Sequence, residues 1–386
     1  GDIDERVWKL AESLPHLPFQ RLEPKRMTES KPTAVESYTA CVSCHAPPPD
    51  NKPLSACSQC QHAMYCSREC QVKDWPLHKS TCSKYFRLVA RPGAGLGLQA
   101  TLPIVQGQEL LREPCALRCP NGHAARTEEE AEALHKQCIA DRFAKLKPKQ
   151  QQGFLNLSSW DKFDDPTTHE KTLHGIFQTN SLRLTGEQDE ADGAVFLGFA
   201  RMNHSCSSNV HHFWRSDLQK LVLHATCDIA PGQELMVNYG PTEFQDTAGR
   251  QGHLAETFGF TCQCTMCCRS SGGDGEDSID GSDTRMRELA QRSLALNDGA
   301  YLKQGNFAEA LESIDACLSL MKQQHVALGK HKQFLDLGYR ISQVCLKNTT
   351  MAKAYLQQEL NVVQTCEGAT SPGALQLQQQ LLAMGG

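Results

Sequence analysis

Seven cysteines and His78 fall within residues 41–82 at spacings that leave this segment little choice of fold. They run Cys41-x2-Cys44, Cys57-x2-Cys60, Cys66-x3-Cys70 and His78-x3-Cys82. A Cys-x2-Cys turn brings both sulfurs to one tetrahedral ion, and ligands one helical turn apart do the same from a single face. Eight such ligands make two closed four-coordinate sites, so zinc here is expected to be structural, not catalytic. The segment has almost no apolar core of its own. Metal binding is then its folding energy, roughly 10–16 kcal/mol per ion in zinc-finger peptides.

The whole chain has 386 residues and 19 cysteines, most of them in tight groups near histidines. That usage predicts metal ligation in a reducing compartment, the nucleus and cytoplasm, and not a disulfide framework. The length favours two or three domains. A net charge of −5 excludes a surface built as a whole for nucleic acid or anionic lipid. Over 41–91 seven bases face three acids, which we read as a solvated face, with DNA contact as the lesser alternative. No apolar run reaches the length of a membrane span, and the opening "GDIDERVWKL" lacks the order of a signal peptide.

Along the chain, 1–40 is Pro-rich and charged, with one short helix expected near Arg6–Leu14. Residues 84–118 read as short strands, 127–157 as helix ("TEEEAEALHKQCIADRF") and 170–240 again as strands and turns. "RSSGGDGEDSIDGSD", 269–283, reads as an acidic linker. Helical periodicity dominates beyond it: Phe307, Ala310, Leu311, Ile314, Leu318 and Met321 form one apolar stripe behind an Asn306 cap, with Glu309 three residues on. "MAKAYL" at 351 echoes "FAEALE" at 307, which suits either a helical bundle or an array like tetratricopeptide repeats.

Five further stretches occur in order: "ARPGAGLGLQAT", "IFQTNSLRL", "RMNHSCSSNV", "IAPGQELMVNYG" and "FGFTCQCTMC". The glycines precede a strand pattern, which argues against a dinucleotide fingerprint. "RMNHSCSSNV" puts Asn203, His204, Ser205 and Cys206 between apolar flanks, a polar knot that is either a satisfied turn or a site. Taken together, the five resemble the SET domain of protein lysine methyltransferases. With "MYCSRECQVKDWPLHKSTC" before them, the chain resembles the SET and MYND domain-containing (SMYD) family over 41–268. The implied class is α+β. The expected parts are a MYND zinc finger at 41–82, a SET β-fold at 83–257 with a helical insertion at about 120–170 and a pseudoknot-like crossing at 203–240, a post-SET zinc segment at 258–268, the linker, and an α-helical, TPR-like region at 284–386.

The resemblance implies a cross-braced finger, with Cys41, Cys44, Cys66 and Cys70 on one zinc and Cys57, Cys60, His78 and Cys82 on the other; His45 and His62 are spare. It implies a third zinc on Cys206, Cys262, Cys264 and Cys267, and "CQCTMC" is indeed one ligand short of a tetrahedral ion by itself. Cys268 is spare. S-adenosylmethionine is the implied cofactor, contacted by Gly93, Ala94, Gly95, Leu96, Asn180, Asn203, His204, Tyr239 and Phe260, with Tyr239 as the catalytic tyrosine. Asn209 and Glu234 are expected to be structural hydrogen-bonders. The implied partners are a lysine-bearing protein substrate, histone or other, and a proline-rich peptide at the finger; no membrane is implied, and a monomer is expected. Two features depart from the family pattern. The finger precedes the glycine loop instead of interrupting the domain after it, and Pro92 stands where the family often has Arg, so that either one cofactor contact is lost or Arg91 substitutes. The alternative function is an adaptor built from the finger and the helical region around a vestigial SET fold.

Overall fold

The computed structural model describes residues 40–48, 53–60, 63–79, 82–120, 127–184, 192–240, 242–268 and 279–384. The helix expected near Arg6–Leu14 and the spare His62 lie outside them.

The finger is a short antiparallel hairpin, β1 (Ser55–Ala56) and β2 (Met64–Tyr65), followed by helix α1 (Arg68–His78). Ser67 starts the helix by accepting the Cys70 amide at 3.2 Å. Tyr65, buried among the cysteines, donates its hydroxyl to Asp74 at 2.6 Å. Apart from Tyr65, Leu54 and Ala63, the buried cluster of the finger is sulfur, as the ligand spacing requires.

Beyond the finger, β3 (Phe86–Arg91) and β4 (Gly95–Ala100) form a hairpin in the register Arg91↔Gly95. Strand β12 (Glu234–Val237) pairs antiparallel with β4, and β9 (Asn203–His204) lies parallel to β12, so the sheet order is β3-β4-β12-β9. Asn209 extends that parallel contact: its Oδ1 accepts the Met236 amide and its Nδ2 donates to the Glu234 carbonyl, both at 2.8 Å. Two three-stranded sheets complete the β layer. One holds β10 (Val210–Arg215), β11 (Lys220–Ala225) and β5 (Glu109–Glu113); the other holds β6 (Leu117–Pro120), β8 (Asp192–Val195) and β7 (Ser181–Arg183). Phe86, Leu98, Phe196, Leu223, Leu235 and Val237 fill the core between them.

The insertion contains α2 (Glu128–Ala144), α3 (Pro148–Leu155) and α4 (Leu173–Asn180). It therefore runs past the expected end near 170, and part of the stretch read as strands is helix. Thr172 accepts the Gly175 amide to start α4, and Gly175, Ile176 and Phe177 bury one face, which overrides the mixed local propensity. The finger leans on this insertion: α1 packs against α3, where a side chain at Gly153 would meet the Pro76 carbonyl and Leu197. The finger thus abuts the segment that follows α3 into the site described below.

The C-terminal region comprises α6 (Ile279–Asn297), α7 (Ala300–Gln304), α8 (Phe307–Gln323), α9 (His331–Arg340), α10 (Thr349–Glu367) and α11 (Pro372–Ala383), preceded by α5 (Thr247–Phe258). A π turn at Ile341–Cys345 joins α9 to the next helix. Helix α9 packs on both α8 and α10, and α10 lies across β10 and β11. The stripe read from the sequence is the inner face of α8: Ala310, Leu311, Ile314 and Met321 are buried, and Phe307 and Leu318 pack against them. Two expectations are corrected here. Asn306 precedes α8, but its side chain donates to Glu309 at 3.2 Å and makes no cap bond. The linker does not extend to 283: α6 begins at Ile279, because Ser282 is buried against Gln324 and Asp283 against Thr247.

Candidate active site and metal centres

Among the described residues, three groups each bring four ligand atoms within 4.8 Å of one another: Cys41/Cys44/Cys66/Cys70, Cys57/Cys60/His78/Cys82 and Cys206/Cys262/Cys264/Cys267. These are the cross-braced pairs and the third cluster that the resemblance implies. Zinc–thiolate bonds of about 2.3 Å at tetrahedral angles put sulfurs about 3.8 Å apart. The Sγ–Sγ distances are 3.5 Å for Cys44–Cys66 and Cys66–Cys70, 3.8 Å for Cys57–Cys82, 3.6 Å for Cys206–Cys267 and 3.9 Å for Cys206–Cys262. His78 Nε2 lies 3.4 Å from Cys60 Sγ. The donor sets and their edges fit zinc at all three centres. His45 and Cys268 are exposed and belong to none of them.

The third centre borders a cavity of about 1120 Å³ lined by Gly93, Ala94, Leu96, Asn180, Asn203, His204, Tyr239 and Phe260. Segments up to 167 positions apart in the chain thus share one wall. Gly95 does not line the cavity; with Gly93 it makes the turn between β3 and β4, both with φ near +70°. Asn203 sits beside that turn because β9 is held against β12. Its Nδ2 donates to Glu234 Oε1 at 2.8 Å and to the Leu96 carbonyl at 3.3 Å. Arg91 Nε closes the set at 3.0 Å from Glu234 Oε2, so Arg91 is engaged with Glu234. Asn180, at the end of α4, donates to the Ser158 and Ile176 carbonyls, both at 2.7 Å, which leaves its amide oxygen as the acceptor it can offer.

His204 is buried, and burial holds it down to about 4, neutral at physiological pH. Its Nδ1 accepts the Tyr239 amide at 3.1 Å, which assigns the proton to Nε2, 3.3 Å from Cys206 Sγ. The run 203–206 therefore turns Asn203 to the cavity and Cys206 to the metal centre, with His204 joined to both Tyr239 and the cysteine. The Tyr239 ring lies against His204 (5.4 Å), Phe258 (5.2 Å) and Phe260 (6.3 Å). Its hydroxyl donates to the Met202 carbonyl at 2.7 Å, and burial raises its pKa well above the usual phenol range.

Four contributors were not singled out from the sequence. Trp160 lines the cavity and lies so close to Gly259 that a Cβ there would strike the indole at 2.3 Å. Gly97 passes under Asn203 and Glu234. Arg250 is fully buried beside the third metal centre. Glu113 sits behind "RMNHSC": its two carboxylate oxygens accept the Gly198 and Phe199 amides at 3.0 and 2.7 Å, fixing the turn that delivers Met202 to β9. Only Gly97 carries a sequence cue, as a third glycine beside the marked 93–96 loop.

Burial raises Glu113 to about 7 against the two amide bonds. A folded-state pKa above the unfolded value means the native state binds the proton more tightly. That stabilisation is complete below the unfolded pKa near 4.5 and is lost as pH rises through 7. The loss is about 3 kcal/mol at most, by the usual conversion of pKa shifts. Unfolding midpoints from pH 4.5 to 8 should fall more steeply for the wild type than for Glu113→Gln. Parallel curves would remove Glu113 as the cause.

The MYND finger family model matches residues 41–82 and the SET domain family model matches 95–240. The chain is 30% identical over 192 residues to Histone-lysine N-methyltransferase set5 of Schizosaccharomyces pombe, covering 48% of this chain and 51% of that protein. It is 29% identical over 223 residues to N-lysine methyltransferase SMYD2 of Mus musculus, covering 55% and 48%. To the Homo sapiens SMYD2 it is 28% identical over 234 residues, with the same coverage. The chain spans about half the length of the curated relatives it matches. Among solved structures, the SET domain of LSMT bound to lysine and AdoHcy is similar at 11% identity and a TM-score of 0.33, over 81% of this chain and 90% of that one. With three four-ligand centres, a cavity walled by the motifs of 93–260 and matches to both family models, this chain carries a MYND finger and, C-terminal to it, a SET domain.

Proposed function

We propose that the protein is an S-adenosylmethionine-dependent protein lysine methyltransferase. The observation that carries this reading is the convergence of Asn180, Asn203, His204, Tyr239, Phe260 and the 93–96 loop on one cavity. The names of the relatives at 28–30% identity support it. A cavity of about 1120 Å³ exceeds the usual single-ligand site and has room for both a nucleoside cofactor and an inserted side chain.

S-adenosylmethionine would supply the methyl group on a sulfonium, with a neutral thioether as the leaving group. The 93–96 turn and Asn203 would hold it by backbone and amide contacts, and Phe260 would cover an apolar face. An attacking lysine must be neutral, although its reference pKa is about 10.4. The apolar wall of Tyr239, Phe258 and Phe260 disfavours the ammonium form by desolvation. Tyr239 is held protonated by burial, so it does not act as a phenolate base. Its hydroxyl spends its hydrogen on Met202 and keeps its lone pairs for the amine, which it orients in line.

The substrate is a lysine-bearing protein, histone or other, and the finger would take a proline-rich segment of a partner. Three thiolate centres and 19 free cysteines suit a reducing compartment, the nucleus and cytoplasm.

Calorimetric titration of S-adenosylmethionine and S-adenosylhomocysteine into zinc-loaded protein tests the reading. Micromolar binding is expected, weakened about ten- to a hundred-fold in Asn203→Ala, the loss of one or two buried polar contacts. No binding by folded protein would overturn the enzyme and favour the adaptor.

A further inference from the structure

Four thiolates around one divalent ion sum to two negative charges, and the centre at Cys206, Cys262, Cys264 and Cys267 is largely buried. An anion of that size in a low-dielectric site needs a compensating charge close by. Arg250, on α5, is among the largest fully buried side chains of the protein, at 0% exposure. Its Nη1 donates to the Gln245 carbonyl at 2.6 Å; its Nη2 donates to Thr247 Oγ1 at 2.9 Å and to the Met266 carbonyl at 3.4 Å, next to Cys267.

Arg250 does not hold this position alone. Thr247 Oγ1, which accepts from Arg250, donates to Asp283 Oδ1 at 2.8 Å, and the Thr247 amide donates to the same oxygen at 2.8 Å. Asp283 lies in the first turns of α6 and is buried. The same buried cluster contains Cys206, Cys262 and Cys267 together with Leu254, Met286, Leu289, Ile314 and Phe334. The metal centre is therefore packed into the C-terminal helices as well as into the SET sheets.

We propose that Arg250 is the counter-charge that retains the metal at this centre, and that Asp283 positions it there through Thr247. The C-terminal helical region then contributes a positioning residue to a centre whose Cys206 is tied, through His204, to Tyr239 and the cavity. The inference rests on the zinc reading of the three clusters, and the two can fail separately.

Zinc release into a chromophoric chelator would be followed for the full chain, its Arg250→Gln, Arg250→Lys and Asp283→Asn variants, with total zinc measured beforehand. The wild type is expected to hold three ions. One ion should leave about ten- to a hundred-fold faster from Arg250→Gln, in the range seen when groups that support metal ligands are removed, and the two finger ions should be unchanged as internal controls. Arg250→Lys, which keeps the charge without the planar fork, should restore most of the retention. Asp283→Asn should accelerate the same ion by a smaller factor. Fewer than three ions in the wild type would overturn the cluster reading. Three ions leaving Arg250→Gln at wild-type rates, or leaving Arg250→Lys as fast as Arg250→Gln, would overturn the counter-charge. If Arg250→Gln does not accumulate folded, Asp283→Asn decides, and wild-type release from it would overturn the coupling.

Discussion

Tyr239→Phe is expected to lower kcat for methyl transfer by about a hundred- to a thousand-fold, the usual loss when a single polar group aimed at a reacting centre is removed. The Kd for S-adenosylmethionine should stay within about three-fold of the wild type. The substitution removes one oxygen. The ring keeps its contacts with His204, Phe258 and Phe260, so the apolar wall that desolvates an incoming amine persists. What is lost is an acceptor whose direction is set by its donated bond to the Met202 carbonyl. That carbonyl then lacks its partner, at a cost of about 1–3 kcal/mol in stability, so turnover must be compared well below the unfolding midpoint of the variant. Single-turnover transfer from radiolabelled cofactor, beside calorimetric binding, separates the two effects. A variant that keeps more than a tenth of the wild-type turnover would remove Tyr239 from the reaction. One that loses cofactor binding in proportion would make it a binding residue only.

The metal centres were the most legible part of the molecule, because a Cys-x2-Cys turn or a one-turn helical spacing fixes ligand geometry within a few residues of chain. The cross-bracing and the recruitment of Cys206 are long-range facts, and only the resemblance supplied them. The cavity residues Asn203, His204 and Tyr239 were reached only through the resemblance, because the run 203–206 by itself reads equally as a satisfied turn or as a site. What escaped reading depends on contacts with no local signature. Residues 279–283 look like linker because Gly281, Asp280 and Ser282 are poor helix formers; the burial of Ser282 and Asp283 against Gln324 and Thr247 makes them helix nonetheless. Arg250 reads as a surface arginine until the thiolates of a different segment are placed beside it. Trp160 is an ordinary aromatic until Gly259 clears the space it occupies. The docking of the finger on α3 is equally invisible, since neither Pro76 nor Gly153 carries a pattern that names its partner.

The glycine loop shows where motif reading and geometry part company, and this is the basis of the second large effect. Gly93 and Gly95 have positive φ, with nothing within 4 Å of where a Cβ would stand. Alanine there costs left-handed backbone strain of roughly 1–2 kcal/mol without meeting any neighbour. Gly97 has an ordinary backbone and no such strain, yet its added Cβ would lie 2.3 Å from Glu234 Oε1 and 2.8 Å from Asn203 Nδ2. Glu234 Oε1 is the end of a side chain and would normally swing aside. Here it is pinned by Asn203 at 2.8 Å, and its partner oxygen is held by Arg91 at 3.0 Å. Relief of the clash must therefore break the Asn203–Glu234 bond, displace Asn203 from the cavity wall, or pull β4 away from β12. Overpacking of this kind costs about 1–3 kcal/mol, equivalent to about five- to 150-fold in affinity if it falls on the cofactor site. Gly97→Ala should then weaken S-adenosylmethionine binding by at least ten-fold, more than Gly93→Ala, although the sequence motif marks 93–96 and passes over 97. The double variant Gly97→Ala with Glu234→Ala, which removes the clashing carboxylate, should recover little, because Asn203 loses its anchor in either case. Titration of the four proteins decides the matter: if Gly97→Ala binds like the wild type while Gly93→Ala does not, the cavity is held by the conformation of its turn and not by the packing of Gly97 beneath Asn203.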